Sequence, residues 1–199
     1  MDVIQALQQR RAAKAFDPNH QMAPETRRVL LENAALAPSA YNIQHWRVVD
    51  VRDPALRQAI RDVAWGQSQV TDASLLLVLC ADLNAWQENP QRYWATAPQA
   101  VQDFLLPKLD EYYRGKPQVA RDEAMRSLGL LGMAIMLLAQ DLGYDSCPMD
   151  GFDFDAVARL IQLPQDHAIG YMIAVGKSVG TVWERNREPL SHWVIENHF

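Results

Sequence analysis

Cysteine, histidine and excess positive charge are all scarce in this 199-residue chain. The two cysteines, Cys80 and Cys147, cannot build the disulfide framework of a small secreted domain. The five histidines are scattered and never pair at zinc-ligand spacing, so we expect no metal site. Nineteen basic residues against 24 acidic ones give a net charge of −5, which argues against general nucleic-acid binding.

Long apolar segments are also missing. The longest runs from Leu128 to Ala139, which is shorter than the roughly 20 residues that span a bilayer. The first residues, Met-Asp-Val-Ile-Gln, lack the cationic and apolar regions of a signal peptide. These absences predict a cytoplasmic protein with no membrane partner. The hydrophobic fraction of 49% predicts a globular fold.

Hydrophobic periodicity predicts a mixture of helices and strands without strict alternation, which favours an α+β fold. Repeats and linkers are absent, so we expect a single domain over residues 1–199. The helices are predicted at 2–13, 24–36, 54–63, 98–113 and 121–142, and the strands at 46–51, 74–80 and 169–175.

Three segments have distinctive composition. The last predicted helix is apolar on nearly every side over residues 127–139, so it must be buried within the protomer or against a partner. Residues 84–97 collect tryptophans and a tyrosine among polar residues, which is typical of a lid or insertion rather than core. Residues 178–199 indicate an extended C-terminal tail.

A hydrolase-like motif is present but lacks its context. Gly176-Lys177-Ser178-Val179-Gly180 matches the nucleophile-elbow pattern G-x-S-x-G and follows a predicted strand. The pattern requires a helix next, and residues 181–189 do not indicate one. No aspartate follows Ser178 either, so we set a serine hydrolase aside.

Two further segments carry ligand-binding chemistry. Arg10, Arg11 and Lys14 place three cations within five residues at the end of the first helix. Alone, such cations commonly complement the helix dipole. The polar turn Pro38–Gln44 adds amide and hydroxyl groups. Together the segments offer what a phosphorylated heteroaromatic cofactor needs, namely cations for a phosphate and amides for a ring edge.

These segments resemble motifs of the nitroreductase family. Pro38-Ser39-Ala40-Tyr41-Asn42-Ile43-Gln44-His45-Trp46 resembles the family pattern P-S-x-x-N-x-Q-P-W. Residues 142–153, which include Pro148-Met149-Asp150-Gly151-Phe152, resemble the segment after the family's long central helix. Arg185-Asn186-Arg187 resembles a late basic pair. With the first cations, four motifs occur in order between residues 2 and 187.

The resemblance implies an α+β fold with a mixed, mainly antiparallel sheet flanked by helices. It places the long central helix at a homodimer interface, with flavin mononucleotide (FMN) bound there. It also implies a ping-pong reaction that passes hydride from NAD(P)H through flavin N5 to nitroaromatic, quinone or similar planar acceptors. No catalytic side chain is then expected, because the flavin carries the chemistry.

The alternatives are a flavin-binding carrier, sensor or flavin-consuming protein with little nicotinamide turnover, or a helical dimerisation module without cofactor. The natural acceptor and the choice between NADH and NADPH stay open.

The resemblance also assigns roles to residues. Arg10, Arg185 and Arg187 would hold the flavin phosphate, and Lys14 would lie near the pyrimidine edge of the ring. Ser39 and Asn42 would come from the partner subunit, and Gly151 would present a backbone N–H to N5. The implied cofactor-binding set is Arg10, Arg11, Ala12, Lys14, Pro38, Ser39, Ala40, Asn42, Gln69, Pro148, Met149, Asp150, Gly151, Arg185 and Arg187.

Aromatic residues would complete the substrate pocket. Tyr41, Trp94 and Phe104 would offer flat apolar walls to planar acceptors, although ordinary packing explains them equally well. The chain departs from the family pattern at His45, where the family has proline. It also departs at Ala12 and Ala13, where a serine is often found, and Arg11 would compensate for the missing hydroxyl.

Overall fold

A computed structural model describes the whole chain, Met1–Phe199, around one four-stranded sheet. Its strands are β1 (Trp46–Asp50), β2 (Leu75–Asp82), β3 (Asp145–Met149) and β4 (His167–Gly176). They pair antiparallel in the order β1-β2-β4-β3, so β1 and β3 form opposite edges. A parallel bridge between Ala12 and Ser146 extends the β3 edge. The predicted α+β fold with a mixed, mainly antiparallel sheet is confirmed.

Seven α-helices surround this sheet. They are α1 (Val3–Gln9), α2 (Pro24–Ala34), α3 (Pro54–Asp62), α4 (Gln69–Asp72), α5 (Gln99–Tyr113), α6 (Pro117–Asp141) and α7 (Phe154–Leu160). The first helix is shorter than predicted because residues 12–14 run as extended chain along β3. None of the helices, the 25-residue α6 included, combines the length and apolarity needed to cross a bilayer.

Local sequence explains the main helix boundaries. Asp2 accepts a hydrogen bond from the Gln5 backbone N–H and completes a capping box at the start of α1. Pro117 opens α6 four residues before the predicted start, since proline suits the first helical turn. Gly143 ends α6 with a φ of +75°, which glycine adopts without steric cost.

Two apolar layers cover the sheet. All eight residues of β2 are buried, as expected for a strand covered on both faces. On one face α6 packs Leu128, Leu131 and Ile135 against the sheet. Gly132 allows close approach there, because a Cβ at this position would overlap the Tyr171 side chain of β4. The other face is covered mainly by α3, α4 and α7.

A third, smaller cluster lies beyond the β1 edge. Trp86 is buried in it and stacks on Tyr113 with ring centroids 5.6 Å apart, alongside Ile43 and Leu109. The expectation that the aromatic residues of 84–97 lie outside the core is therefore wrong for Trp86. Both cysteines are buried and unpaired, in agreement with a packing role.

Candidate functional site

A basic cleft lies where the chain leaves α1 and meets the C-terminal tail. Arg10 follows the last residue of α1, and Arg185 reaches back across 175 residues to donate a 2.5 Å hydrogen bond to the Arg10 carbonyl. The cleft has a volume of about 290 Å³. Its lining comprises Arg10, Arg11, Ala12, Lys14, Trp183, Glu184, Arg185, Asn186 and Arg187. The structure thus brings the early cations and the late basic pair together.

Burial and the repulsion between neighbouring cations both act on the arginines of the basic cleft. Partial burial, followed by the charges of Arg187 and Arg11, lowers the pKa of Arg10 from its ordinary value. Desolvation and the neighbouring cations lower the pKa of Arg185 in the same direction. Glu184 is the only carboxylate in the lining. A phosphate would relieve this repulsion, and guanidinium groups suit its oxygens, so the donor set fits a phosphorylated cofactor.

Lys14 extends the cleft along β3. The Ala13 N–H donates to the Ser146 carbonyl at 3.1 Å, which fixes this segment beside the strand. Lys14 Nζ then lies 3.7 Å from Cys147 Sγ. Burial raises the pKa of the Cys147 thiol, while Lys14 and the side chain of Gln69 act in the opposite direction. Lys14 and Gln69, both predicted site residues, thus meet at one buried thiol.

The end of β3 forms a second part of the site. Pro148, Met149 and Asp150 line a cavity of about 310 Å³ together with Gly170 and Tyr171. The Gly151 carbonyl accepts a 2.9 Å hydrogen bond from Gln67 Nε2. Arg10, Lys14 and Asp150 therefore follow one another along a single edge of the sheet.

Trp65 also belongs to this region and was missed by sequence reasoning. Its ring covers Gly151 so closely that a Cβ there would lie 2.6 Å from the indole. The side chain is 81% exposed, and the residue adopts a φ of +55°. The sequence carried no signal for this position, because only the tertiary fold brings Trp65 beside Gly151.

The turn Pro38–Gln44 has a strained backbone at the opposite edge of the sheet. Tyr41, Asn42 and Gln44 all have positive φ, between 50° and 56°. Ser39 Oγ accepts a 2.9 Å hydrogen bond from the Gln44 N–H, and Asn42 Nδ2 donates to the Tyr93 carbonyl at 3.0 Å. These bonds hold a conformation that the backbone alone disfavours.

One chain does not bring this turn to the basic cleft. The turn leads into β1, whereas the cleft adjoins β3, three strand positions away. Neighbouring strands lie about 4.8 Å apart, so the separation across the sheet is about 14 Å. Pro38, Ser39, Ala40 and Asn42 are accordingly absent from the lining of the basic cleft in their own chain.

The predicted substrate residues lie on neighbouring elements, away from both cavities. Tyr41 packs against Tyr112 and Tyr113, with ring centroids 5.7 Å and 6.1 Å away. Trp94 is half-buried, and Phe104 on α5 is 65% exposed. Neither the basic cleft nor the cavity at Asp150 includes these side chains in its lining.

Two further polar sites, one serine and one cluster of potential metal ligands, are already bonded within the protein. Ser178, the serine of the hydrolase-like motif, donates to Asp145 at 2.5 Å, and no helix follows it. Asp82, Asp166 and His167 bring potential metal-ligand atoms within 4.8 Å of one another. Asp82 is already engaged there by Arg47 and by the Asn84 N–H, at 2.8 Å and 2.9 Å.

Comparison with known proteins identifies the family of the chain. Residues 7–177 match the model of the nitroreductase family. The chain belongs to the nitroreductase family. Protein DrgA of Synechocystis is 51% identical over 177 residues, covering 89% of this chain and 84% of DrgA. MhqN of Bacillus subtilis, named among the NAD(P)H nitroreductases, is 32% identical, covering 86% of each chain.

One solved structure with the same fold contains bound FMN. A nitroreductase-family crystal structure from Exiguobacterium sibiricum in complex with FMN superposes with a TM-score of 0.90 at 25% identity. The match covers 98% of this chain and 97% of the other. The family assignment and the predicted class of NAD(P)H-dependent oxidoreductase are therefore confirmed.

Proposed function

We propose that this nitroreductase-family chain binds FMN, oxidises NAD(P)H and reduces nitroaromatic, quinone or similar planar acceptors in a ping-pong cycle. When bound, FMN supplies a ring that accepts hydride from reduced nicotinamide and transfers electrons to an acceptor. The observation that carries the proposal is the continuous β3 edge, which runs from the basic cleft past Lys14 to Asp150 and Gly151.

The basic cleft would hold the phosphate. Arg10, Arg185 and Arg187 present guanidinium groups whose mutual repulsion an anion would relieve. Arg11 and Ala12 complete the wall, and Arg11 would compensate for the serine hydroxyl that the family often has at the position of Ala12 or Ala13.

The rest of the β3 edge would orient the ring. The ammonium of Lys14 would place positive charge by the pyrimidine edge and favour added negative charge there. Gln69 lies beside it, and the Gly151 backbone N–H would face N5. The Phe152 N–H donates to the Asp150 carbonyl at 3.0 Å, and Gln67 donates to the Gly151 carbonyl, so the backbone on both sides of this N–H is held before a ligand arrives.

A homodimer would complete the site. Ser39 and Asn42 do not line the cleft of their own chain, so a partner would supply them. The chain also carries apolar residues that one copy leaves uncovered. Val3 and Ile4 on α1 are 65% and 67% exposed, and Leu130 on α6 is 47% exposed. A second copy covering α1 and α6 would bury these side chains.

The remaining segments would shape the acceptor pocket. In a dimer, Tyr41, Trp94 and Phe104 would border the ring from the partner's side and favour flat acceptors. We assign residues 1–199 to one domain, residues 84–97 to a lid or insertion and residues 178–199 to an extended tail that supplies Arg185 and Arg187.

Spectroscopy and turnover test the proposal in separate steps. The purified protein should absorb as a flavoprotein and release about one FMN per chain on heating. It should then oxidise NADH or NADPH rapidly when menadione or nitrofurazone is present. Bound FMN without such turnover would favour the carrier, sensor or flavin-consuming alternative. A protein that is colourless and takes up no added FMN would contradict the proposal.

A further inference from the structure

A second polar cavity lies at the β1 edge, separate from the basic cleft. Its volume is about 520 Å³, and it is enclosed by the segment before α2, the end of β1, α3 and residues 71–74. Three arginines from different elements line it, namely Arg27 of α2, Arg52 after β1 and Arg57 of α3. We call this cavity the arginine pocket.

Positive charge exceeds negative charge in the arginine pocket. Asp50 is the only carboxylate in its lining, and it pairs with both Arg27 and Arg52. His20 is the other titratable group, and its ring is engaged by Ser74 Oγ at 2.9 Å. Three guanidinium groups and one carboxylate leave two positive charges without a counter-charge.

Arg57 is the least compensated of these cations. Its Nε donates to the Val51 carbonyl at 2.8 Å, and its Nη1 donates to the Ala73 carbonyl at 2.5 Å. Backbone oxygens orient the guanidinium but do not neutralise it, and burial lowers the pKa of Arg57. Its Nη2 makes no hydrogen bond within the chain. A half-buried cation with a fixed orientation therefore borders a polar cavity.

We propose that the arginine pocket binds the phosphate group of a phosphorylated small molecule. A dianion matches the two unbalanced charges, and the planar guanidinium groups match phosphate oxygens. The volume exceeds what a phosphate alone requires, and Gln58 and Thr71 offer further polar partners to an attached organic group. The pocket adjoins β1 whereas the basic cleft adjoins β3, so this site does not depend on the proposed flavin site.

Calorimetric titration of the FMN-saturated protein provides the test, because FMN would occupy the basic cleft. Inorganic phosphate and adenosine 5′-monophosphate are the two probes. We expect saturable binding with one site per chain. Arg57→Gln should weaken binding by about tenfold or more, and Arg52→Gln by a smaller factor. Arg159→Gln removes the same charge from the exposed face of α7 and should leave binding unchanged.

The two probes distinguish a site for free phosphate from a site for a phosphate attached to an organic group. Tighter binding of the nucleotide would show that an organic group fills the rest of the pocket, whereas equal binding would identify a site for the phosphate group alone. Absence of binding by both probes at millimolar concentration would overturn the proposal. Unchanged binding in Arg52→Gln and Arg57→Gln would also overturn it, and Arg52→Gln keeps the test valid if Arg57→Gln fails to fold.

The test does not depend on flavin binding. An Arg10→Ala plus Arg187→Ala protein disables the basic cleft and should still bind phosphate in the arginine pocket. Loss of phosphate binding in that protein would place the anion in the basic cleft and contradict the proposal.

Discussion

The two edges of the sheet use polar residues in opposite ways. At the β3 edge, cations crowd around a cleft with little to neutralise them, and their pKa values fall partly because they repel one another. At the β1 edge, polar groups bond to the protein itself, as Arg57 does to backbone carbonyls and His45 does to Ser127. The contrast indicates that the β3-edge cations are available to a ligand, whereas side chains at the β1 edge also hold the fold together, Arg57 among them.

The largest expected effect is at the β3 edge. Arg10→Ala plus Arg187→Ala removes two charged donors that would each contribute about 1.5–3 kcal/mol to phosphate binding. FMN affinity should fall by at least about a hundredfold, while the unfolding midpoint in urea stays close to that of the wild type. Fluorescence titration of apoprotein with FMN measures the first effect. Unchanged FMN affinity would show that the phosphate lies elsewhere.

A change at the β1 edge should affect stability instead. Arg57→Ala removes the hydrogen bonds that tie α3 to the Val51 and Ala73 carbonyls. We expect a loss of about 3 kcal/mol in the free energy of unfolding, with FMN affinity almost unchanged. Arg159→Ala, at an exposed position on α7, is the matched control and should alter neither quantity. If Arg57→Ala has the same free energy of unfolding as the wild type, Arg57 does not stabilise the fold, and the contrast drawn between the two edges is wrong.

His45 makes the β1 edge sensitive to acid. The residue is fully buried, its Nδ1 lies 3.2 Å from Ser127 Oγ, and its Nε2 has no partner. Burial lowers the pKa of His45 to about 4 from an ordinary value near 6.5. The unfolded chain therefore binds a proton that the folded chain rejects, and stability falls as the pH drops below about 6.5.

The contribution of His45 to this pH dependence is the difference between the wild type and His45→Gln. Between pH 7 and pH 5 the wild type should lose about 2 kcal/mol more stability than His45→Gln, because each pKa unit corresponds to about 1.4 kcal/mol. Urea unfolding at both pH values gives the comparison. Equal losses in the two proteins would mean that His45 is hydrated in the folded state.

The smallest expected effect concerns the turn before β1. Ser39→Ala removes the hydroxyl that accepts from the Gln44 N–H and should cost about 1 kcal/mol of stability. In a composite dimer site the same change should also speed FMN release, whereas a purely structural serine would leave the release rate unchanged. Stopped-flow release of FMN distinguishes these roles and tests whether the β1 edge of one chain serves the ligand of another.

Sequence periodicity predicted the long elements and missed several of the short ones. β2 and α6 are long and strongly apolar, so their burial is encoded locally. β3 has only five residues and contains Pro148, which an edge strand tolerates because its outer side needs no backbone donor. α4 and α7, of four and seven residues, are too short for a periodic pattern.

At the β3 edge, the fold brings together several residues that the sequence motifs singled out. Arg10, Lys14, Gln69 and Asp150 lie along one edge, in line with the family resemblance. Trp65 and the arginine pocket were not predictable, since they depend on residues that only the tertiary fold brings together. The prediction that Trp86 lies outside the core was wrong. Its sequence neighbours are polar, and its packing partner Tyr113 lies 27 residues later in the chain.

The visible absorption spectrum of the purified protein, followed by heat release and chromatography of the chromophore, tests the central claim most directly. The structure predicts a flavin spectrum and about one FMN per chain, both lost in Arg10→Ala plus Arg187→Ala. A wild-type protein that is colourless and does not bind added FMN would contradict the assignment of the β3 edge as a cofactor site.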